Sequence, residues 1–219
     1  MNGNERERDM TPVQLMDFKT VLYQDVVDFI GSDICSFFMK RLSAYHLPTF
    51  QHSVRVALYS MTIADRMGIV PAEGIVFLRS MLLHDIGKLS VPKAVLDKQS
   101  PLASEEWDMI GRHTVTGFEM LKDFIKKGWV DPEIILYHHE NMDGTGYPFG
   151  LMAKDLTLFV RILRVADSYD AMTGGRGYRP AISHDEAMEE LYRWSGVTYD
   201  SEIVDCFHTA LSLTGGGEH

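Results

Sequence analysis

The chain has 219 residues, 45% hydrophobic and 24% charged, and Lys plus Arg at 21 against Asp plus Glu at 31 gives a formal charge of −10. This fits one globular domain, or one with an extension, and excludes a wholly disordered chain, a collagen or a low-complexity linker. The acidic balance argues against a nucleic-acid polymer or an anionic membrane as main partner, because phosphate surfaces are held by basic ones.

In chain order the sequence reads as helix after helix. The charged start MNGNERERDM has no apolar core of a secretory signal. Thr11-Pro12 is a cap followed by proline, and Leu15, Phe18, Val21, Leu22 and Val26 then recur at helical spacing. An apolar segment over 34–42 follows, Pro48 interrupts, and a helix is predicted from near Thr49. Further starts are predicted at Pro71, at Ser104-Glu105-Glu106, at Asp131-Pro132 and at Ser183, whose spacing to Glu186 makes a capping box. Asp200 precedes the last apolar stretch, 203–213. Residues 141–154 carry turn-forming glycines and proline and read as a loop. No alternating strand pattern or internal repeat is visible. A weak boundary near 44–48 separates a helical extension (1–47), suited to dimerisation through Leu15, Phe18, Leu22 and Phe29, from a main domain (48–219).

Cys35 and Cys206 form no CxxC pair, so neither a disulfide framework nor a cysteine zinc site is expected. No apolar run reaches the ~18 residues that span a bilayer, and a cytoplasmic location is the expectation.

Chemistry gathers on imidazole and carboxylate. His84-Asp85 closes an apolar helix before Gly87 and Lys88, and His138-His139-Glu140 closes another before Asp143-Gly144-Thr145-Gly146-Tyr147-Pro148. His52 lies at the start of a helix and His113 is predicted inside one. Asp167 and Asp170 share a helix face, Asp170 being suited to hydrogen-bond a ligand rather than to be one. Singly, each is an ordinary core histidine or turn. Together they form an N/O donor set without thiolate, which suits iron, manganese or another octahedral divalent ion, and less often zinc.

With His113 and Gly117 in HTVTGFEML, HHENMDGTGYP from His138 to Pro148, and RILRVADSYDAMTGGRGYRP from Arg161 to Pro180, the chain resembles the HD-GYP family of metal-dependent phosphohydrolases over roughly residues 49–213. The resemblance implies an all-α helical bundle of the HD fold that hydrolyses cyclic di-GMP to pGpG and often onward to GMP. It implies metal ligands His52, His84, Asp85, His113, His138, His139 and Asp167, with Asp85 bridging. Asp85 and Lys88 would be the catalytic pair. Lys88, Asp143, Gly144, Tyr147, Arg176 and Arg179 would contact substrate. Some members hold a third metal through a carboxylate four residues before the first histidine; Pro48 stands there, so two divalent ions are expected, iron or manganese first, with nickel, cobalt or zinc as alternatives. A hydroxide held between them would attack phosphorus. Alternatives are a phosphohydrolase acting on another cyclic dinucleotide or nucleotide, and a non-catalytic binding module. The Gly144–Pro148 loop could also contact a diguanylate cyclase.

Overall fold

The computed structural model describes residues 33–69, 74–174 and 181–214. The predicted helix after Pro12, the start at Pro71, Arg176 and Arg179 lie outside the described residues. Helices are numbered here from the first described one: α1 (Asp33–Tyr45), α2 (Leu47–Arg66), α3 (Gly74–Leu83), α4 (Lys93–Leu96), α5 (Ser104–Gly111), α6 (His113–Ile125), α7 (Pro132–Tyr137), α8 (Leu158–Thr173), α9 (His184–Arg193) and α10 (Ser201–Thr214). A 3-10 turn, Ile86–Ser90, follows α3. The all-α reading holds: among the described residues there is no strand, only the isolated bridges Asp143–Met152 and Ser195–Tyr199. No described helix is long and apolar enough to cross a membrane.

Several starts follow their caps. Asp131 accepts from the Glu133 N–H at 2.8 Å, with Pro132 at the first helical position. Ser183 Oγ accepts from Glu186 N–H while Glu186 accepts from Ser183 N–H at 2.8 Å, a reciprocal capping box. Other starts shift. α2 begins at Leu47 rather than Thr49, because His46 Nδ1 accepts the Thr49 N–H and Pro48 sits in the first turn, where its missing donor costs nothing. Ser104 is helical rather than a cap; Glu106 instead accepts the Ala103 N–H at 2.7 Å. His113 lies inside α6 as expected, at its first position; the helix is interrupted at Arg112, and the imidazole Nδ1–H turns back to the Ile110 carbonyl at 2.7 Å.

α2 is the central helix and packs against α1, α3, α8 and α10. Its buried Val56, Ile63 and Ala64 meet a core that includes Leu83, Ile134, Ile162 and Phe207. The ring of Tyr59 stands edge-on to those of Tyr169 and Phe207, with centroids 5.1 and 5.7 Å away. This packing fixes α2 and α8 side by side and brings His52 of one to Asp167 and Asp170 of the other. α6 lies on the 3-10 turn with almost no space between them: a Cβ on Gly87 would sit 1.9 Å from the His113 carbonyl oxygen and 2.7 Å from Gly117 N. Glycine is required at 87 so that His113 can approach the turn that carries Asp85.

Candidate metal centre

The seven expected ligands come from five places. His52 lies on α2, His84 and Asp85 just after α3, His113 at the start of α6, His138 and His139 just after α7, and Asp167 on α8. All but His139 are buried. Asp85 stands in the middle with its two oxygens facing different histidines. Oδ2 is 3.5 Å from His52 Nε2 and 3.6 Å from His84 Nε2. Oδ1 is 3.2 Å from His113 Nε2 and 4.0 Å from His138 Nε2. Donor atoms of His52, His84 and Asp85 lie within 4.8 Å of one another, and so do those of Asp85, His113, His138 and His139. Asp167 joins the two groups, with Oδ1 2.9 Å from His52 Nε2 and Oδ2 3.6 Å from His139 Nδ1.

The protonation pattern says what this cluster can hold. His84, His113 and His138 each place Nδ1 against a main-chain carbonyl, at 2.7, 2.7 and 3.1 Å. A carbonyl only accepts, so each Nδ1 carries the hydrogen, which leaves Nε2, facing the centre, as the nitrogen that can offer a lone pair. Among the described residues, buried His84 Nε2 and Asp85 Oδ1 have no hydrogen-bond partner. The Nε2 atoms of His113 and His138 are 3.1 Å apart. Converging lone pairs in a buried site repel unless a cation lies among them. Burial and the neighbouring rings push His138 well below its ordinary pKa, so a proton is disfavoured there. The site fits divalent metal.

Surrounding groups set the ligands in place. Asp170 Oδ2 accepts from His52 Nδ1 at 2.7 Å, the hydrogen-bonding role expected of it. Arg55 clamps the same carboxylate, Nε to Oδ1 at 2.6 Å and Nη2 to Oδ2 at 2.9 Å. Burial would raise Asp170, but the bonds from His52 and Arg55 prevail and hold it below the usual carboxylate range. Sequence reading passed over Arg55; its position three residues after His52 was the available signal. Lys88 donates to Asp85 Oδ2 at 2.5 Å and is itself buried. Against the cost of burial, Lys88 first and then the histidines keep Asp85 well below the ordinary range. Lys88 and His52 also line a cavity of about 360 Å³.

Glu140 was likewise missed. Its buried carboxylate accepts the N–H groups of Phe149, Gly150 and Leu151 at 2.7, 3.1 and 3.1 Å, which folds the glycine-rich loop back on the centre. Gly146 is required where the loop crosses the main chain at Glu140, since a Cβ would meet Glu140 Cα at 2.4 Å. Tyr147 stacks on His139, centroids 4.7 Å apart and planes at 24°. Asp143, in contrast, bonds within the loop, accepting from Thr145 N–H and Oγ1–H at 3.0 and 2.7 Å.

Residues 38–203 match a family model described as HD domain. The chain belongs to the HD domain family. Its motifs are those of the HD-GYP branch. This HD domain chain is 32% identical over 215 residues to cyclic di-GMP phosphodiesterase PA4108 of Pseudomonas aeruginosa, covering 94% of the chain and 50% of that protein. It is 35% identical over 180 residues to 3′3′-cGAMP-specific phosphodiesterase 3 of Vibrio cholerae, covering 82% of the chain and 39% of that protein. The HD domain chain thus spans half or less of these curated relatives. Among solved structures it resembles Bd1817, an HDG"Y"P protein from Bdellovibrio bacteriovorus, with a TM-score of 0.64 at 23% identity over 86% of this chain and 60% of that one, a likeness of fold.

Proposed function

We propose that this chain is a metal-dependent phosphodiesterase that opens cyclic di-GMP to pGpG and continues to GMP, in the cytoplasm. The observation that carries the reading is Asp85, whose two oxygens are divided between His52 and His84 on one side and His113 and His138 on the other. A carboxylate so placed would offer one oxygen to each of two cations. His52, His84, Asp85, His113, His138, His139 and Asp167 would hold them. Two divalent ions, iron or manganese ahead of nickel, cobalt or zinc, would supply an acidified water and positive charge at the phosphate.

The protein's own groups do the rest. Lys88 reaches from Asp85 to the cavity wall, so its ammonium can meet a phosphodiester oxygen or the departing 3′ oxygen. Substrate carries two phosphodiesters and the chain a formal −10, so attraction must be local rather than long-range. Arg176 and Arg179 would extend that local charge, and Gly144 and Tyr147 would contact the substrate from the loop beside His139, outside the lining of that cavity. Asp143, whose Oδ1 takes the Thr145 bonds that shape the loop, would contact the substrate as well. A homodimer through the first 47 residues and a cyclase contact through Gly144–Pro148 accompany the proposal.

The test is metal analysis of anaerobically purified protein together with turnover of cyclic di-GMP. Two ions per chain and release of pGpG are expected. Asp85→Asn should bind fewer ions and lose at least about 10³-fold in rate. Full metal content and full rate in that variant would overturn the reading. The Vibrio relative's name favours a second reading, preference for 3′3′-cGAMP, and including that substrate in the same assay decides between the two.

A further inference from the structure

The cavity beside the centre is built from two unlike walls. One consists of His52, Arg55, Lys88 and Asp170, the charged groups at the ligands. The other comes from 95–110, a segment that supplies only one thing to the centre, the Ile110 carbonyl under His113. Here Leu96, Leu102 and Ile110 give an aliphatic floor, and Trp107, on the same helix face as Ile110, stands 53% exposed. A tryptophan so open on a cavity wall is an unused flat apolar surface.

This wall is fixed at both ends. Lys98 Nζ donates to Glu106 Oε2 at 2.5 Å, and the same oxygen takes the Ala103 N–H, which ties the segment to the start of α5 beside Trp107. His46 Nε2 bonds Asp97 Oδ1 at 3.0 Å, while His46 Nδ1 and Thr49 Oγ1 are 2.7 Å apart, which ties it to the start of α2. Asp97 Oδ2 carries no hydrogen bond among the described residues, and the Asp97 side chain is 61% exposed. Gln99 Nε2 donates to the Asp97 carbonyl at 3.0 Å, and Gln99 also lines the cavity.

We infer that this outer wall is a nucleobase subsite: a purine of the substrate stacks on Trp107, and the edge of a guanine donates to Asp97. The inference rests on reading the centre as a cyclic dinucleotide phosphodiesterase. Every base offers a π-face, so stacking supplies affinity. Guanine also offers N–H donors along its pairing edge, which a carboxylate accepts and adenine's ring nitrogen cannot satisfy. Phosphate at the charged wall and base at the tryptophan wall place one half of the substrate in one cavity.

The experiment titrates 5′-GMP and AMP into metal-free protein, following tryptophan fluorescence and equilibrium dialysis, and then measures cyclic di-GMP kinetics with Mn. Wild type should show quenching by GMP. Trp107→Phe should keep GMP binding within a few-fold and lose the quench, leaving Trp129 and Trp194 silent. Trp107→Ala should weaken GMP and raise KM on the order of ten- to a hundredfold, the effect falling on KM rather than kcat, with Trp107→Phe restoring most of it. Asp97→Asn should narrow the preference for GMP over AMP. Unchanged quenching in Trp107→Phe, or a KM within twofold in Trp107→Ala, overturns the subsite. GMP binding needs no metal, so quenching without any cyclic di-GMP turnover would sink the proposed activity and leave the subsite standing.

Discussion

His113 and His138 aim Nε2 lone pairs at each other across 3.1 Å, each ring locked by a main-chain carbonyl behind it. With both Nδ1 atoms donating to carbonyls, unprotonated rings would face each other lone pair to lone pair, and a divalent ion held by the two Nε2 atoms would relieve that repulsion. Divalent metal should therefore raise the unfolding midpoint, by about 3 kcal/mol at a hundredfold excess over Kd. Calorimetry with EDTA and with Mn reads this directly. His138→Leu removes one lone pair and should raise the stability of the EDTA-treated protein while abolishing most of the Mn response. Equal Mn responses in both proteins would count against the site.

Acid should unfold the metal-free protein by a route that the histidines set. Burial, then the rings of His84 and His113, hold His138 well below its ordinary pKa. Unfolded, it titrates near 6.5. As pH falls through that value the unfolded chain takes up a proton that the native state refuses. Its contribution is complete above about pH 6.5 and is lost on acidification, on the order of 1 kcal/mol per pH unit. Asp85 adds a second loss in a lower window. Burial opposes its ionisation, but Lys88 keeps its native value well below 3.8, so its contribution is present above about pH 4 and disappears below. Denaturant midpoints in EDTA from pH 8 to 5 should fall below 6.5, and a flat profile would refute the assignment.

Glu140 is expected to act on the loop, away from the reacting atoms. Glu140→Ala strips an acceptor from three amides at once and should cost about 1–3 kcal/mol. Hydrogen exchange at Phe149, Gly150 and Leu151 should quicken while amides of α2 and α8 keep their protection. Slow exchange at those three positions in the variant would show that something else holds the loop.

Gly87→Ala tests the contact between the 3-10 turn and α6. The added methyl would need the space of the His113 carbonyl, and a loss of about 3 kcal/mol or more is expected. Gly74→Ala, where a Cβ meets nothing within 4 Å, is the control and should be near neutral. Similar denaturation midpoints for the two variants would contradict the packing.

What could be read from the sequence was whatever is encoded within a few residues. Asp131-Pro132 and Ser183 with Glu186 announce helix starts because a cap and its partner are neighbours in the chain. His84-Asp85 and His138-His139 stand out because they interrupt apolar runs. Arg55 did not stand out, because its partner Asp170 is 115 residues away and only the α2–α8 packing joins them. Glu140 was hidden by its role: a carboxylate beside two histidines suggests ligation, whereas its oxygens are spent on backbone. Trp107 gave no signal in the sequence, and only its exposure on a cavity wall of the folded chain sets it apart.

The near-touching of Gly87 and Gly117 leaves the turn bearing Asp85 and Lys88 seated directly on the backbone of the helix that begins at His113. No side chain acts as a cushion there, so a shift in one donor drags its neighbours along. If the strap from Asp97 to Trp107 sets selectivity, changes at Trp107 fall clear of that backbone contact, whereas Asp97 stays coupled through His46 to the start of α2.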